Sequence, residues 1–394
     1  MNSKLRLEES WGLLDMKSNW KEYCLGDIVS LVIDHRGLTP KKLGGDWANE
    51  GYRALSAKNV KTGRIVQPDS IRYVDDEMYH RWMPDEIERG DILVTSEAPF
   101  GEVLQWNSDE KIVLSQRLFG LRISEEFNSD YVYHYMTTTA FLAEMHSRAT
   151  GTTVIGLRQP ELLKCKLFCP DIETQKKIAS LLNGLDRKIE LNERINDNLL
   201  QQVTACFHHH FDAYEASTDA IGSLGDMAQF KYGTMPKKDK LGSGEYVAFS
   251  GYQVVGSYPE KMFSTPQLIV VARGVGGCGD IKYTPSNCYL TNLSIAILTQ
   301  NTAIEDYLFN YLRLHDTTVM NTGSAQPQIT VSTLEKYQLP IPPEYLLASF
   351  STFVQPFKTL YRKNKAEIER LQVLRDTLLP RLMSGELDVS NIDI

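Results

Sequence analysis

Most of this chain occurs twice, and that repetition limits what it can fold into more than any other feature. CLGDIVSL at 24–31 returns as SLGDMAQF at 223–230, and GDILVTSEAPFGEV at 90–103 is answered by PQLIVVARGVGGCGDI at 266–281. VLSQRLFGLRI (113–123) corresponds to YLTNLSIAIL (289–298), and DYVYHYM (130–136) to DYLFNYL (306–312). The ends of the halves align without a gap: ATGTTVIGLRQPELLKCKLFCP (149–170) lies over NTGSAQPQITVSTLEKYQLPIP (321–342) at an offset of 172. Such a chain should form two similar units, and 394 residues suffice for two cores.

Each half reads as a mixed α/β globule followed by a long helix. Strands are expected where short or alternating apolar runs are bounded by Gly, Pro, Asn and Asp. Helices are expected over about 173–211 and 345–384. In the first, Ile178, Leu182, Leu185, Ile189, Asn192, Asn196, Leu199 and Val203 recur at alternating spacings of four and three. Phe350, Val354, Phe357, Tyr361, Asn364, Ile368 and Leu371 keep the same rhythm in the second. Two such seams in one chain should pack on each other, antiparallel because a globule intervenes.

The stretch LDRKIELNERIN (185–196) puts amides where a seam would take leucine, and the offset of 172 carries Asn192 onto Asn364. Buried amides cost stability but penalise wrong registers, because the partner must also be polar. Asn192 and Asn364 are therefore candidates for fixing the register of the helix pair; the alternative places them at the wet edge of the seam.

These readings divide the chain into an N-terminal segment (1–19), a first globule (20–170) and a first long helix (171–215). A second globule (216–342) and a second long helix with the C-terminal tail (343–394) follow.

Composition is that of an ordinary globular protein, with 42% hydrophobic and 23% charged residues and a net charge of −8. No global basic excess announces nucleic acid, although local patches or a basic partner can supply phosphate attraction. Glu8 and Glu9 stand where a signal peptide would need an apolar run, and no stretch approaches transmembrane length. The expectation is a cytoplasmic chain with six free cysteines and no membrane partner. Cys165 and Cys169 lack a second ligand pair at zinc spacing, so no metal is expected.

Candidate catalytic motifs are incomplete. Gly274, Gly276 and Gly279 match GxGxxG after the apolar run LIVVA, but a dinucleotide site needs a helix next, and DIKYTPSNCY reads as strand and turn. EAPF (97–100) and PPEY (342–345) lack the amide or carboxylate before two prolines that attack on an exocyclic amine would use. There is no GxxxxGK[ST] loop, and His208–His210 read as a solvated helix end. With no nucleophile–base arrangement, a binding protein is expected. A nucleotide-dependent enzyme using Gly274–Gly279 and a scaffold that does not bind DNA are the rival readings.

Charge placement is more informative. Arg36, Lys41 and Lys42, then Lys58, Lys61 and Arg64, follow the first LGD element; Lys231, Lys237, Lys238 and Lys240 follow the second. Basic loops at equivalent places in two globules, interleaved with Gly, Thr, Ser and aromatics, suit contacts to phosphates and base edges of duplex DNA. Arg273 and the segments TGTTVIGLRQ (150–159) and TGSAQPQIT (322–330) are further candidates near the duplex.

The whole chain resembles the specificity subunit of type I restriction–modification systems. The resemblance is carried by WKEYCLGDI (20–28), PDIETQKKIASLLNGLDRKIELNERINDNLL (170–200) and LRDTLLPRLMSGELDV (374–389), together with the repeat. It implies an α+β fold with two pseudo-symmetric α/β target recognition domains separated by two long antiparallel coiled-coil helices. It also implies a non-catalytic, sequence-specific DNA-binding subunit that reads a bipartite target in double-stranded DNA. Its partners would be two modification subunits that methylate adenine, and restriction subunits that translocate and cut DNA. No cofactor is expected in this chain; S-adenosylmethionine, ATP and Mg would belong to the partners. The usual helix start of the family, a Pro-Pro-x-x-Glu-Gln run, is replaced here by CPDIETQ and IPPEYLL.

Overall fold

In both halves LGD folds into a single helical turn (Leu25–Ile28 and Leu224–Met227) closed by its own acid. Asp27 Oδ2 accepts from the Cys24 amide at 2.9 Å, and Asp226 Oδ2 from the Ser223 amide at 2.8 Å. These carboxylates satisfy amides that the start of a helix leaves open. The computed structural model describes residues 20–151, 154–274, 277–322 and 327–390; the expected N-terminal segment 1–19 lies outside them.

Each turn follows an edge strand that pairs with the last strand of the same globule. Lys21–Cys24 runs antiparallel to Lys166–Cys169, and Ile221–Ser223 to Gln338–Pro340. The Leu25 amide donates to the Cys165 carbonyl and the Leu224 amide to the Tyr337 carbonyl, both at 2.8 Å. Positions 165 and 337 are equivalent in the repeat, so the ends of the two globules close in the same way.

Within each globule lie two larger sheets of matching topology. The four-stranded antiparallel sheet runs Val29–Ile33, Leu118–Ile123, Ile92–Thr95, Val103–Gln105 in the first. In the second it runs Ala228–Tyr232, Ser294–Thr299, Leu268–Val271, Ile281–Tyr283. The three-stranded sheet is centred on Tyr52–Leu55, antiparallel to Arg72–Val74 and parallel to Ile112–Leu114. Its counterpart is centred on Tyr246–Phe249, antiparallel to Val254–Tyr258 and parallel to Cys288–Leu290.

The amphipathic helices Ser129–Met136 and Thr302–Leu314 pack between sheet and long helix. In the first core, Ile92, Val94, Phe119 and Leu121 meet Tyr131 and Tyr135, then Ile178 and Leu182. In the second, Leu268, Val270, Ile295 and Ile297 meet Tyr307 and Tyr311, then Phe207, Phe211 and Phe350. Apolar burial supplies most of the driving force here, and polar latches set the seating. Asp130 accepts from Gln105 Nε2 and Asn183 Nδ2, both at 2.7 Å. Its equivalent Asp306, 1% exposed, accepts from Ser351 Oγ at 2.7 Å, Gln355 Nε2 at 3.0 Å and the Lys358 ammonium. Asn183 and Gln355 are again 172 apart.

The first long helix spans Ile172–Ser217 and the second Glu344–Met383. The first continues beyond the expected end near 211, because Phe211 is fully buried and Tyr214 Oη donates to the Ile341 carbonyl at 2.7 Å. His208–His210 therefore lie inside the helix, not at its end.

The chain forms two compact units: residues up to Leu191 with those from Glu367 onward, and Asn192–Ala366. Each holds one globule and turns of both long helices, which run antiparallel inside it. In the first unit Lys177 Nζ donates to the Ser390 carbonyl at 2.7 Å, and Arg375 pairs with Asp186 at 2.9 Å. In the second, Asn364 bonds Asn196, while Phe207 and Phe211 lie against Phe350. The seam residues Ile178, Leu182, Ile189, Leu199, Val203, Val354 and Ile368 are buried as the heptad spacing requires. Among the described residues no helix is long and apolar enough to cross a membrane.

Candidate nucleic-acid interface

In the first globule, residues 56–71 form an elaborate loop between two strands of the three-stranded sheet. Asn59, 1% exposed, ties it together: its Oδ1 accepts from Ser56 N and Oγ at 3.1 and 2.8 Å, and its Nδ2 donates to Ser70 Oγ at 2.9 Å. Lys58 is thereby left outside. Val60–Lys61 and Arg64–Ile65 then form a minimal hairpin, in which Gly63 takes φ 77°. A side chain is strained at that angle, so glycine suits the turn.

Glu102 anchors this hairpin. Its carboxylate accepts from Lys61 Nζ at 2.6 Å, and from Thr62 N and Oγ1 at 2.8 and 2.7 Å. Burial alone would raise the pKa of Glu102, but these hydrogen bonds outweigh it and hold the acid below its usual range. Lys61 is thus already compensated. Lys58 and Arg64 are exposed, with no carboxylate within 4.0 Å among the described residues.

Arg36 is committed inside the fold. Its guanidinium bonds both Asp34 oxygens at 2.8 Å, lies 3.8 Å from the Phe119 ring centroid and donates to the Leu157 carbonyl at 3.4 Å. It thereby supports the segment 150–159. Lys41 and Lys42 sit on the turn Pro40–Leu43, capped by Thr39; both are exposed, and Lys42 Nζ donates to the Gly37 carbonyl at 2.6 Å.

In the second globule Lys237 and Lys238 are exposed on the loop that lies along the strand Val254–Tyr258. Gly242 N donates to the Ser257 carbonyl at 2.9 Å, and Lys240 Nζ pairs with Glu260 at 2.6 Å. Lys231 ends 5.7 Å from the Phe263 ring centroid. Arg273 is exposed; its carbonyl accepts from Tyr252 Oη at 2.8 Å, and its backbone bridges to Gln328.

The segments 150–159 and 322–330 dock equivalently. Leu157 N donates to the Ser96 carbonyl at 3.0 Å and Ile329 N to the Ala272 carbonyl at 2.8 Å, each just beyond the corresponding sheet strand. Residues 152–153 and 323–326 of these segments lie outside the described residues. The second globule therefore joins the lysine loop, the ribbon 246–258, the Arg273 turn and the 322–330 segment. The first joins Arg36 to 150–159 and the 60–65 hairpin to the turn at Glu102. Those joins were not visible in sequence, because each couples residues far apart in the chain.

The glycine-rich stretch is a turn between antiparallel strands Leu268–Val271 and Ile281–Tyr283. Gly274 and Gly279 adopt φ 123° and 101°, and Gly276 lies outside the described residues. A strand follows where a pyrophosphate would need a helix N-terminus. Cys165 and Cys169 are buried, and burial pushes each thiol up to about 12. Among the described residues no group of three His, Cys, Asp or Glu is placed to hold a metal.

A family model for the type I restriction modification DNA specificity domain matches residues 17–201 and, a second time, 220–370. The chain belongs to that family. Its two matches coincide with the two repeats. The specificity subunit of the type I restriction enzyme MjaIX from Methanocaldococcus jannaschii is 23% identical, over 94% of this chain and 89% of its own length. That of HindI from Haemophilus influenzae is 22% identical, over 94% of this chain and all of its own. A crystal structure of a type I restriction–modification S subunit from M. genitalium superimposes with a TM-score of 0.59 at 18% identity. That match covers 93% of this chain and 96% of the other, and supports the fold.

Proposed function

We propose that this specificity subunit is the DNA-reading part of a type I restriction–modification complex. Each globule reads one half of a bipartite target, and the halves are separated by unspecified bases. Adenine is methylated by two modification subunits recruited to this chain, and restriction subunits can join them. In this division of labour the chain is not itself catalytic. S-adenosylmethionine binds the modification subunits, while ATP and Mg serve the restriction subunits. The complex works in the cytoplasm.

The observation that carries this reading is one fold occurring twice, with exposed cations on the equivalent loop between the first sheet strand and the central strand: Lys41 in one copy, Lys237 and Lys238 in the other. Lys58 and Arg64 are exposed on the next loop of the first copy. Phosphate contacts from such loops would position the duplex, and base edges would then be read by what lies between them. Membership of the family, and the relatives that share it, support this reading. The test is domain exchange. Replacing residues 20–170 by the equivalent domain of a relative should change one half of the methylated motif and leave the other half intact. Both halves changing together would refute the two-reader model.

A further inference from the structure

The central strands Tyr52–Leu55 and Tyr246–Phe249 occupy the same place in the two globules, each parallel to one neighbour and antiparallel to the other. What leaves the end of each central strand differs. In the first globule residues 56–71 intervene before the antiparallel partner and expose Lys58 and Arg64 around the Val60–Ile65 hairpin. In the second only residues 250–253 intervene, and Tyr252, Gln253, Val254 and Val255 are exposed in one run.

That run is unusual for a surface. Val254 is 58% exposed, and Tyr252 and Val255 are 38% and 36% exposed. It stands beside exposed Arg273, whose carbonyl holds Tyr252 Oη, while the exposed Lys237–Lys238 loop meets the other end of the same strand, at Ser257 and Tyr258. An apolar and amide tip beside an exposed arginine, on a strand whose other end carries exposed lysines, is complementary to a groove: the cations meet phosphates, and the tip meets base edges. A two-stranded ribbon fits the major groove of B-DNA. Both tips are held by the same structural feature, the turn after the third sheet strand: Lys61 and Thr62 on Glu102 in one globule, Tyr252 on Arg273 in the other.

We infer that these tips are the base-reading elements and that their different chemistry assigns different base pairs. Arg64 reads a guanine in one half-site; Gln253 and Val254 read an A·T pair, beyond the methylated adenine, in the other. The guanidinium matches the two acceptors of guanine, the carboxamide matches adenine N6 and N7, and an aliphatic side chain fits the thymine methyl. This rests on the DNA-reading function proposed above.

The experiment maps adenine methylation by the full chain with its modification subunit, comparing wild type, Arg64→Ala and the double variant Gln253→Ala, Val254→Ala. All three side chains are exposed, so the variants should fold, and methylation at the unaffected half-site reports it. Arg64→Ala should lower discrimination at one guanine position roughly tenfold or more, and the double variant should do so at an A·T position of the other half-site. Uracil in place of that thymine should weaken wild-type binding about fourfold, by loss of one buried methyl, and leave Val254→Ala unchanged. Variants that keep the wild-type motif overturn the inference, as does uniform weakening across all sequences. A wild-type complex without any bipartite motif overturns the underlying function as well.

Discussion

Asn364 Nδ2 donates to Asn196 Oδ1 at 3.1 Å inside the helix pair, with the two residues 6% and 7% exposed. Asn192 is buried too, yet its Nδ2 has no partner among the described residues. The repeat explains the asymmetry. Asn192 corresponds to Asn364, but the residue corresponding to Asn196 is Ile368, so the first helix carries two seam amides and the second only one.

The three amides should therefore respond differently to replacement. Asn196→Leu leaves the buried Asn364 amide without its acceptor and should cost about 1–3 kcal/mol. Asn192→Leu removes an amide whose Nδ2 already lacks an acceptor and should be neutral or stabilising. Denaturant midpoints of the purified variants provide the check; equal losses at both positions would contradict the pairing.

The heptads made the helices legible, and a gapless offset of 172 made the duplication legible, since Cys165 and Tyr337, or Asn183 and Gln355, do the same work in both copies. Which amide meets which was not legible, because every candidate sits on the same seam and one helical turn separates Asn192 from Asn196. Arg36 illustrates a second limit. Its setting among loop-forming residues suggested a free cation, but it is held by Asp34, Phe119 and Leu157, the last two distant in sequence. The exposed run of the second globule was missed for the same reason, whereas Lys58, Lys61 and Arg64 of the first were already candidates: Val254 and Val255 look like ordinary strand residues until the sheet leaves them uncovered.

Acid should loosen the seating of the first globule. His134 is buried, with Nε2 2.7 Å from Asn183 Oδ1. Burial holds its pKa below the ordinary value of 6.5, against the opposing pull of the Asn183 bond, Asp186 and Asp130. As pH falls through roughly 6.5, the unfolded chain gains a proton that the folded one resists, so stability declines below that point. The second copy carries Asn310 at this position. His134→Asn should flatten the decline in unfolding midpoint between about pH 7 and pH 5.5, whereas parallel curves would exclude His134 as its source.

The lysines on one loop should not contribute equally to DNA binding. Lys237 and Lys238 are exposed and form no salt bridge within 4.0 Å among the described residues, whereas Lys240 is paired with Glu260 at 2.6 Å. Replacing Lys237 and Lys238 by Ala should weaken binding of the assembled complex across sequences. It should also flatten the salt dependence, by about one unit of slope for each phosphate no longer neutralised. Lys240→Ala should have the smaller effect. Titrations of duplex DNA over a range of salt concentrations distinguish the two, and unchanged slopes for the double variant would remove this loop from the interface.

The central claim is that one chain contains two readers of DNA sequence. It is tested most directly by mapping methylated adenines in DNA from cells that express this chain with its modification subunit. The account predicts a bipartite motif, two specified blocks separated by a fixed number of unspecified bases, that disappears when this chain is omitted. A single contiguous motif, or methylation that does not depend on this chain, would contradict it.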